Sequence, residues 1–255
     1  MRIAVLADVH GNAPALRAVL AELDAEPVDA IVVAGDVVGG PQVPEVLGLL
    51  EARSERVRWI AGNAEREAVA AWDGAPTKDD EAGRAASWSA RALDRRRRDE
   101  LASWPIALTL GGAVFCHGSP RRDDEVLTRL TPAGVLREAL DGVAEPFVIG
   151  GHTHQQLVCP LGAGHPTYVN AGSVGMPYEG RPGAFWLVLA NGAPEPRQTA
   201  YDLGAASREL RATGSPDVES HLAECLLEPV DRDWASAFLE HAAGRGEDPG
   251  PAPPA

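Results

Sequence analysis

Three short apolar runs, each stopping abruptly at a polar tip flanked by glycine, restrict the fold of this chain more than any other feature. Arg2 to Ala7 (RIAVLA) ends at Asp8-Val9-His10-Gly11-Asn12, Ala30 to Ala34 (AIVVA) ends at Gly35-Asp36, and Val57 to Ala61 (VRWIA) ends at Gly62-Asn63. Runs this short and rich in branched residues predict strands buried on both faces. After the first tip, Asn12 can cap a helix that has Pro14 in its first turn and Leu16, Val19, Leu20 and Leu23 at helical spacing. Val43 to Ala52 predicts a second helix. Strand, tip and helix in alternation need crossover connections, hence a largely parallel sheet with ligand-bearing groups at the carboxyl ends of its strands. Asp8, Asp36 and Asn63 all fall at such ends.

Between Glu65 and Glu100 the chain turns polar and helical, with Trp72 and Trp88 as packing anchors and Arg95 to Arg98 as a charged, solvated helix face. From Ala107 onward short strands dominate: Ala107 to Leu110, Ala113 to Cys116, Phe147 to Ile149, Leu157 to Pro160, Thr167 to Asn170 and Ala184 to Leu189. Gly111-Gly112 predicts a tight hairpin between the first two, and Pro132 to Leu140 is helical. The fold class expected is α/β, with two packed mixed β-sheets flanked by helices. A catalytic domain over 1–203 would then carry a helical appendage over 204–243. Its helices are expected at Pro216 to Leu227, capped by Ser215, and at Trp234 to Ala243. The tail 244–255, made of Gly, Pro and acidic residues, is expected to be disordered.

Composition excludes several classes of function. The excess of acidic over basic residues gives a formal net charge of -14, which disfavours a nucleic-acid surface. Bound divalent cations would reverse that sign locally, so a small phosphate ester remains an acceptable substrate. No apolar stretch approaches the ~20 residues needed to span a bilayer. Cys116, Cys159 and Cys225 are widely spaced and form no Cys-x-x-Cys pair, which fits a reducing compartment. The first strand begins directly after Met1, leaving no room for a secretory signal. A cytoplasmic protein is expected, a homodimer being compatible with the sequence, and the dominance of Arg over the single Lys78 hints at a GC-rich bacterial genome.

Five motifs follow one another in order: Asp8-x-His10, Gly35-Asp36, Gly62-Asn63, His117-Gly118, and Gly151-His152-Thr153-His154. Each alone reads more readily as a turn, a helix cap or a structural histidine than as a ligand. Together, each placed after an apolar run, they converge on one crevice. Four imidazoles beside two carboxylates and an amide suit borderline divalent metals such as manganese, iron, zinc, cobalt or nickel. The order D-x-H, G-D, G-N, H-G, G-H-x-H resembles that of the calcineurin-like metallophosphoesterase superfamily, over roughly Met1 to Ala190. Within it, His117-Gly118-Ser119-Pro120-Arg121 and Asn170-Ala171-Gly172-Ser173-Val174-Gly175 are similar to the small bacterial phosphodiesterase branch, which the retromer's scaffold subunit also resembles.

The resemblance implies a four-layer α/β/β/α fold and two metal ions, manganese first among them. Asp8, His10, Asp36 and His154 would hold one ion, and Asp36, Asn63, His117 and His152 the other, with Asp36 bridging. A hydroxide shared by such a pair attacks a phosphate ester in line, which makes Asp36, Asn63 and His117 the catalytic candidates. A bend at Gly151 or Thr153 would send His152 and His154 to different ions. Asn12, Arg121 and Ser173 are candidates for substrate contact. One departure stands out: the superfamily usually has Gly-Asn-His, whereas this chain has Gly62-Asn63-Ala64-Glu65. The missing histidine acts near the leaving group, so slow turnover of poor leaving groups is expected unless water, His165 or a substrate group replaces it. Ala64→His would restore such activity if Glu65 can orient the new ring. Phosphodiester hydrolysis is the leading expectation, with a phosphomonoesterase or phosphoprotein phosphatase second and a weakly catalytic metal-binding scaffold third.

Overall fold

In the computed structural model, which describes residues 1–252, the three apolar runs form β1 (Arg2–Leu6), β2 (Ala30–Ala34) and β3 (Val57–Ile60), paired in parallel. They alternate with α1 (Ala13–Ala25), α2 (Val43–Glu51) and α3 (Asn63–Trp72). Asn12 caps α1 as expected, its side chain accepting from the Ala15 N–H at 3.1 Å. Side chains alternate across β1: Ala4 and Leu6 join the core beneath the helices, while Ile3 and Val5 join a second core between the sheets. Burial on both faces is why the strand reads as an unbroken apolar run.

The polar insert forms α4 (Glu81–Ala92) and α5 (Arg95–Ser103), capped by Asp80 and Asp94. The arginine run is an ion-paired surface, Arg95 meeting Asp99, Arg96 meeting Glu100 and Arg98 meeting Asp73. Next come β4 (Ala107–Leu110) and β5 (Ala113–Cys116), an antiparallel hairpin whose Gly111 and Gly112 both have positive φ, as a tight primed turn requires. α6 (Ala133–Ala139), β6 (Phe147–Gly150), β7 (Gln156–Pro160) and β8 (Thr167–Ala171) complete a sheet ordered β4-β5-β6-β8-β7.

The first sheet gains β9 (Ala184–Ala190) and β10 (Ala193–Thr199), for an order of β10-β9-β1-β2-β3. β10 was not expected from the sequence. Its Pro194 and Pro196 argue against a strand, yet it lies on the sheet edge, where a missing N–H is tolerated. Phe115, Ile149 and Val169 of the second sheet pack against Val5, Val32 and Leu187 of the first. Helices cover both outer faces, so the layers run α/β/β/α.

The chain past Tyr201 differs in detail from expectation. An additional helix, α7 (Leu203–Arg211), is capped by Asp202. The next, α8 (Val218–Leu222), starts after Asp217 without a side-chain cap, so Ser215 does not have that role, and it runs on into a single π-turn over Ala223–Leu227. α9 (Arg232–Ala242) is capped by Asp231, which accepts from the N–H groups of Asp233 and Trp234. In the terminal segment, Arg245 donates to Glu240 and to the Val126 carbonyl, and the Gly250 carbonyl accepts from the Trp234 indole. Residues 253–255 of the tail expected to be disordered lie outside the described residues.

Candidate metal centre

The strand tips are tied together by backbone. The Asp8 N–H donates to the Gly35 carbonyl at 3.1 Å, that of His10 to the Asp36 carbonyl at 3.0 Å, and that of Gly151 to the His117 carbonyl at 2.8 Å. Loops from both sheets thereby deliver two clusters to one place: Asp8, His10 and His154, and Asp36, His117 and His152. Within each cluster one ligand atom per residue lies within 4.8 Å of the others. Asp36 reaches both, its Oδ2 standing 3.3 Å from His117 Nε2 and 3.7 Å from His10 Nε2. His152 and His154 lie in the loop between β6 and β7 rather than on a strand, and they join different clusters.

The backbone marks the same residues. Among the described residues, six other than glycine have positive φ: Asp8, His10, Asp36, His152, His154 and Asn191. Asn191 begins the β9–β10 hairpin with Gly192, where a left-handed residue is ordinary. The other five are site residues, and each costs roughly 1–3 kcal/mol in this region. Left-handed residues re-aim side chains where a strand ends, so the strain is spent where ligands must converge.

Gly151 acts differently from its expected role as a bend. Left-handed geometry is taken up by His152 and His154 themselves, while a Cβ on Gly151 would stand 2.6 Å from both Ala7 Cβ and Asp8 Oδ2. Glycine is required so that the loop can lie against Asp8, whose carboxylate accepts from the His152 N–H at 3.0 Å. Gly151→Ala is expected to push the loop outward and weaken metal affinity by roughly 10- to 100-fold. A metal titration of folded protein tests this, and wild-type affinity would show that the close approach is dispensable.

Unpaired polar atoms show that the pocket fits cations. His117 donates from Nδ1 to the Ala34 carbonyl at 2.8 Å, which turns Nε2, a buried atom with no hydrogen-bond partner, toward the carboxylates and frees it for a cation once its proton is displaced. Asn63 Oδ1 and His154 Nδ1 are also buried and unpartnered. His10 and His154 face one another Nε2 to Nε2 at 3.2 Å, a contact that needs a proton or a cation between the nitrogens. Burial lowers the His117 pKa, but Asp36 and Asp8 overcome it and push the ring up to about 10. Burial would raise Asp36, yet His117, with His10 and His152, holds it well below the usual carboxylate range. Burial, reinforced by His117, brings His152 down to about 4. The centre's negative field is strong enough to hold a proton where divalent cations would fit.

Glu65 is the principal residue that sequence reasoning undervalued. Its buried carboxylate accepts from the N–H groups of Asp36 and Gly62 at 2.8 Å each through Oε2, and from those of Val37 at 2.8 Å and Val38 at 3.1 Å through Oε1. Burial, then repulsion from Asp36, pushes its pKa up to about 7, against the pull of those amides. The Glu65 bond back to the Gly62 N–H is one half of a helix capping arrangement, and the other half is missing because Gly62, at the N-cap, has no side chain, which is why no capping signature stood in the sequence. With both oxygens committed, Glu65 is not free to orient a ring at position 64, so the condition attached to Ala64→His is not met.

The substrate-contact candidates are placed elsewhere. Asn12 is fully buried and donates from Nδ2 to the Gly175 carbonyl at 3.0 Å. Ser173, also fully buried, donates from Oγ to the Asp8 carbonyl and accepts from the Met176 N–H, each at 2.7 Å. Both shape the Asp8 tip from behind. Arg121 is held by Glu125 and Glu138, and it lines a separate hollow together with exposed His165. The cavity at the centre is lined instead by His10, Asp36, Asn63, His152 and His154 on one side, and by residues of α4 and the C-terminal segment on the other.

Two packed mixed sheets with carboxylate and imidazole ligands at their strand tips define a metallophosphoesterase-type α/β protein. The model of the calcineurin-like phosphoesterase superfamily domain matches residues 1–192, and the chain belongs to that superfamily. A metallophosphoesterase from Sphaerobacter thermophilus is similar in structure, with TM-score 0.69 and 24% identity over 88% of this chain and 99% of that one. A hypothetical protein from Pyrococcus horikoshii has TM-score 0.75 and 20% identity over 88% of this chain and 97% of its own. At these identities the likeness establishes the fold. Among curated proteins no significant match is found. No helix among the described residues is long and apolar enough to cross a membrane.

Proposed function

We propose that this protein is a phosphodiesterase dependent on two divalent metal ions, manganese first among them, working in the cytoplasm on a small phosphate ester. The observation that carries the reading is the pair of ligand clusters joined through Asp36 and held by left-handed residues at the strand tips. Asp8, His10, Asp36 and His154 would hold one ion, and Asp36, Asn63, His117 and His152 the other. When bound, such a pair supplies a water-derived nucleophile of lowered pKa and neutralises charge on the phosphoryl oxygens. The chain's own part is placement. Glu65 fixes the Asp36 tip, Ala34 sets the His117 tautomer, and Asp8 holds the His152 loop.

Diester over monoester is supported by charge in the cavity wall. Glu81, Asp217 and Glu224 line the same cavity as the ligand clusters. A monoester brings nearly two negative charges at neutral pH and meets more repulsion there than a singly charged diester. Trp88 and Met176 give the same wall an apolar surface for an organic leaving group. Three free cysteines fit a reducing compartment.

Elemental analysis of manganese-loaded protein is expected to show two ions per chain, and aryl diesters are expected to be cleaved faster than the matched aryl monoesters. A faster monoester rate would replace the reading by phosphomonoesterase. Stoichiometric metal with no turnover of either would replace it by a scaffold.

A further inference from the structure

The C-terminal segment does more than extend the fold. α9 is clamped onto the loop that carries His152 and His154: Gln155 donates to the Arg232 carbonyl at 2.8 Å and accepts from Ser236 Oγ at 2.7 Å, while Arg232 donates to Glu179 and to the Gln156 carbonyl. α8 and its π-turn form a small apolar core with α7 through Leu210, Leu222, Cys225 and Leu226. The α7–α8 connection supplies Ser215, Pro216 and Asp217, α8 supplies His221 and the π-turn supplies Glu224 to the wall of the cavity that holds the metal-ligand clusters. His221 is 6% exposed, and its Nε2 is buried without a hydrogen-bond partner. An imidazole nitrogen so placed has been desolvated without compensation, which a fold tolerates where a ligand completes the bond.

We propose that His221 binds the substrate, donating a hydrogen bond from Nε2 to the leaving-group oxygen of the phosphate ester and so serving from the C-terminal segment the position left without a histidine at Ala64. Three of the seven histidines lie outside the metal-ligand motifs, His165, His221 and His241. Of these, only His221 lines the cavity at the centre. His165 lies at the separate Arg121 hollow. Burial brings the His221 ring down to about 3, so it enters as a neutral donor and no proton transfer is required of it. The phosphoryl group would sit on the clusters, and the organic group would extend along Trp88 and Met176 past His221. This assignment rests on the phosphodiesterase reading above.

The test uses full-length, manganese-loaded protein and a series of aryl methyl phosphodiesters of graded leaving-group acidity. His221→Leu is expected to lower kcat little on the best leaving group and roughly 10- to 100-fold on the poorest, as loss of a hydrogen bond to a developing charge implies. The metal content should stay close to wild type, and His221→Gln, which keeps an N–H donor, should recover most of the loss. Inorganic phosphate, which places an oxygen at the same position, should bind His221→Leu roughly tenfold more weakly by calorimetry. A loss equal across the series, no loss, or a loss of metal in both variants would overturn the proposal. If wild-type protein cleaves no ester, the phosphodiesterase reading fails by itself, and the phosphate titration decides on His221: equal affinity in wild type and His221→Leu overturns it.

Discussion

Asp36→Asn should abolish turnover and lower metal content below two ions per chain. Asp36 stands between the clusters, with Oδ2 3.7 Å from His10 Nε2 and 3.3 Å from His117 Nε2, while Asp8 Oδ1, 3.3 Å from His154 Nε2, reaches across to His117 Nε2 at 3.8 Å. Asp36 Oδ1 accepts from the Ala64 N–H at 2.8 Å, which fixes the rotamer and leaves Oδ2 for the centre. An amide presents one acceptor and one donor, so satisfying Ala64 with the oxygen turns an N–H₂ toward the ligands, where no cation would be accepted. Losing the cation pair removes several kcal/mol of transition-state stabilisation, which corresponds to roughly a thousandfold in rate. Elemental analysis and steady-state kinetics on the same preparation check this. Two ions per chain at wild-type rate in the variant would show that the clusters do not depend on a shared carboxylate.

Glu65→Gln should be the most destabilising single-atom change near the site, although Glu65 is not assigned as a ligand. Its two oxygens serve four backbone N–H groups, two from the loop after Asp36, one from Asp36 itself and one from Gly62. Glutamine can satisfy one pair and must aim its own N–H₂ at the other, leaving buried donors facing a donor. A cost of about 3–5 kcal/mol follows, at the upper end for point substitutions, and lowers the melting temperature by roughly 6–20 °C for a domain of this size. Metal affinity should fall as well, because the Asp36 tip and the start of α3 lose their common anchor. Thermal unfolding with and without manganese measures both effects. A variant melting with wild type would show that those amides find other partners.

Much of the first sheet and most metal-ligand candidates were legible because both depend on local pattern. A strand buried on two faces must be an apolar run, and a loop that carries ligands at its end must be polar and contain glycine, so RIAVLA-Asp8 and AIVVA-Gly35-Asp36 announce themselves. β10 escaped because edge placement, not composition, permits Pro194 and Pro196. α7 escaped because its short helical pattern, from Leu203 to Arg211, draws support from packing against α8 and the π-turn. Arg121 looked like a phosphate ligand on chemistry alone, and Glu125, four residues away, claims its guanidinium.

The sequence by itself determined the strand, tip and helix alternation, the order of the ligand motifs and the absence of a histidine at Ala64. Only the tertiary structure decided that Asp36 stands between two clusters, that five site residues take left-handed backbone, that Glu65 is consumed by four amides and that His221 lines the cavity at the centre. The physical reason is range. Strand burial and helix capping act over a few neighbouring residues and leave their mark in composition. The contacts of the centre join chain positions as far apart as His10 and His154 or Asp8 and His152, and those distances exist only once crossovers, sheet order and packing have set where each tip lies.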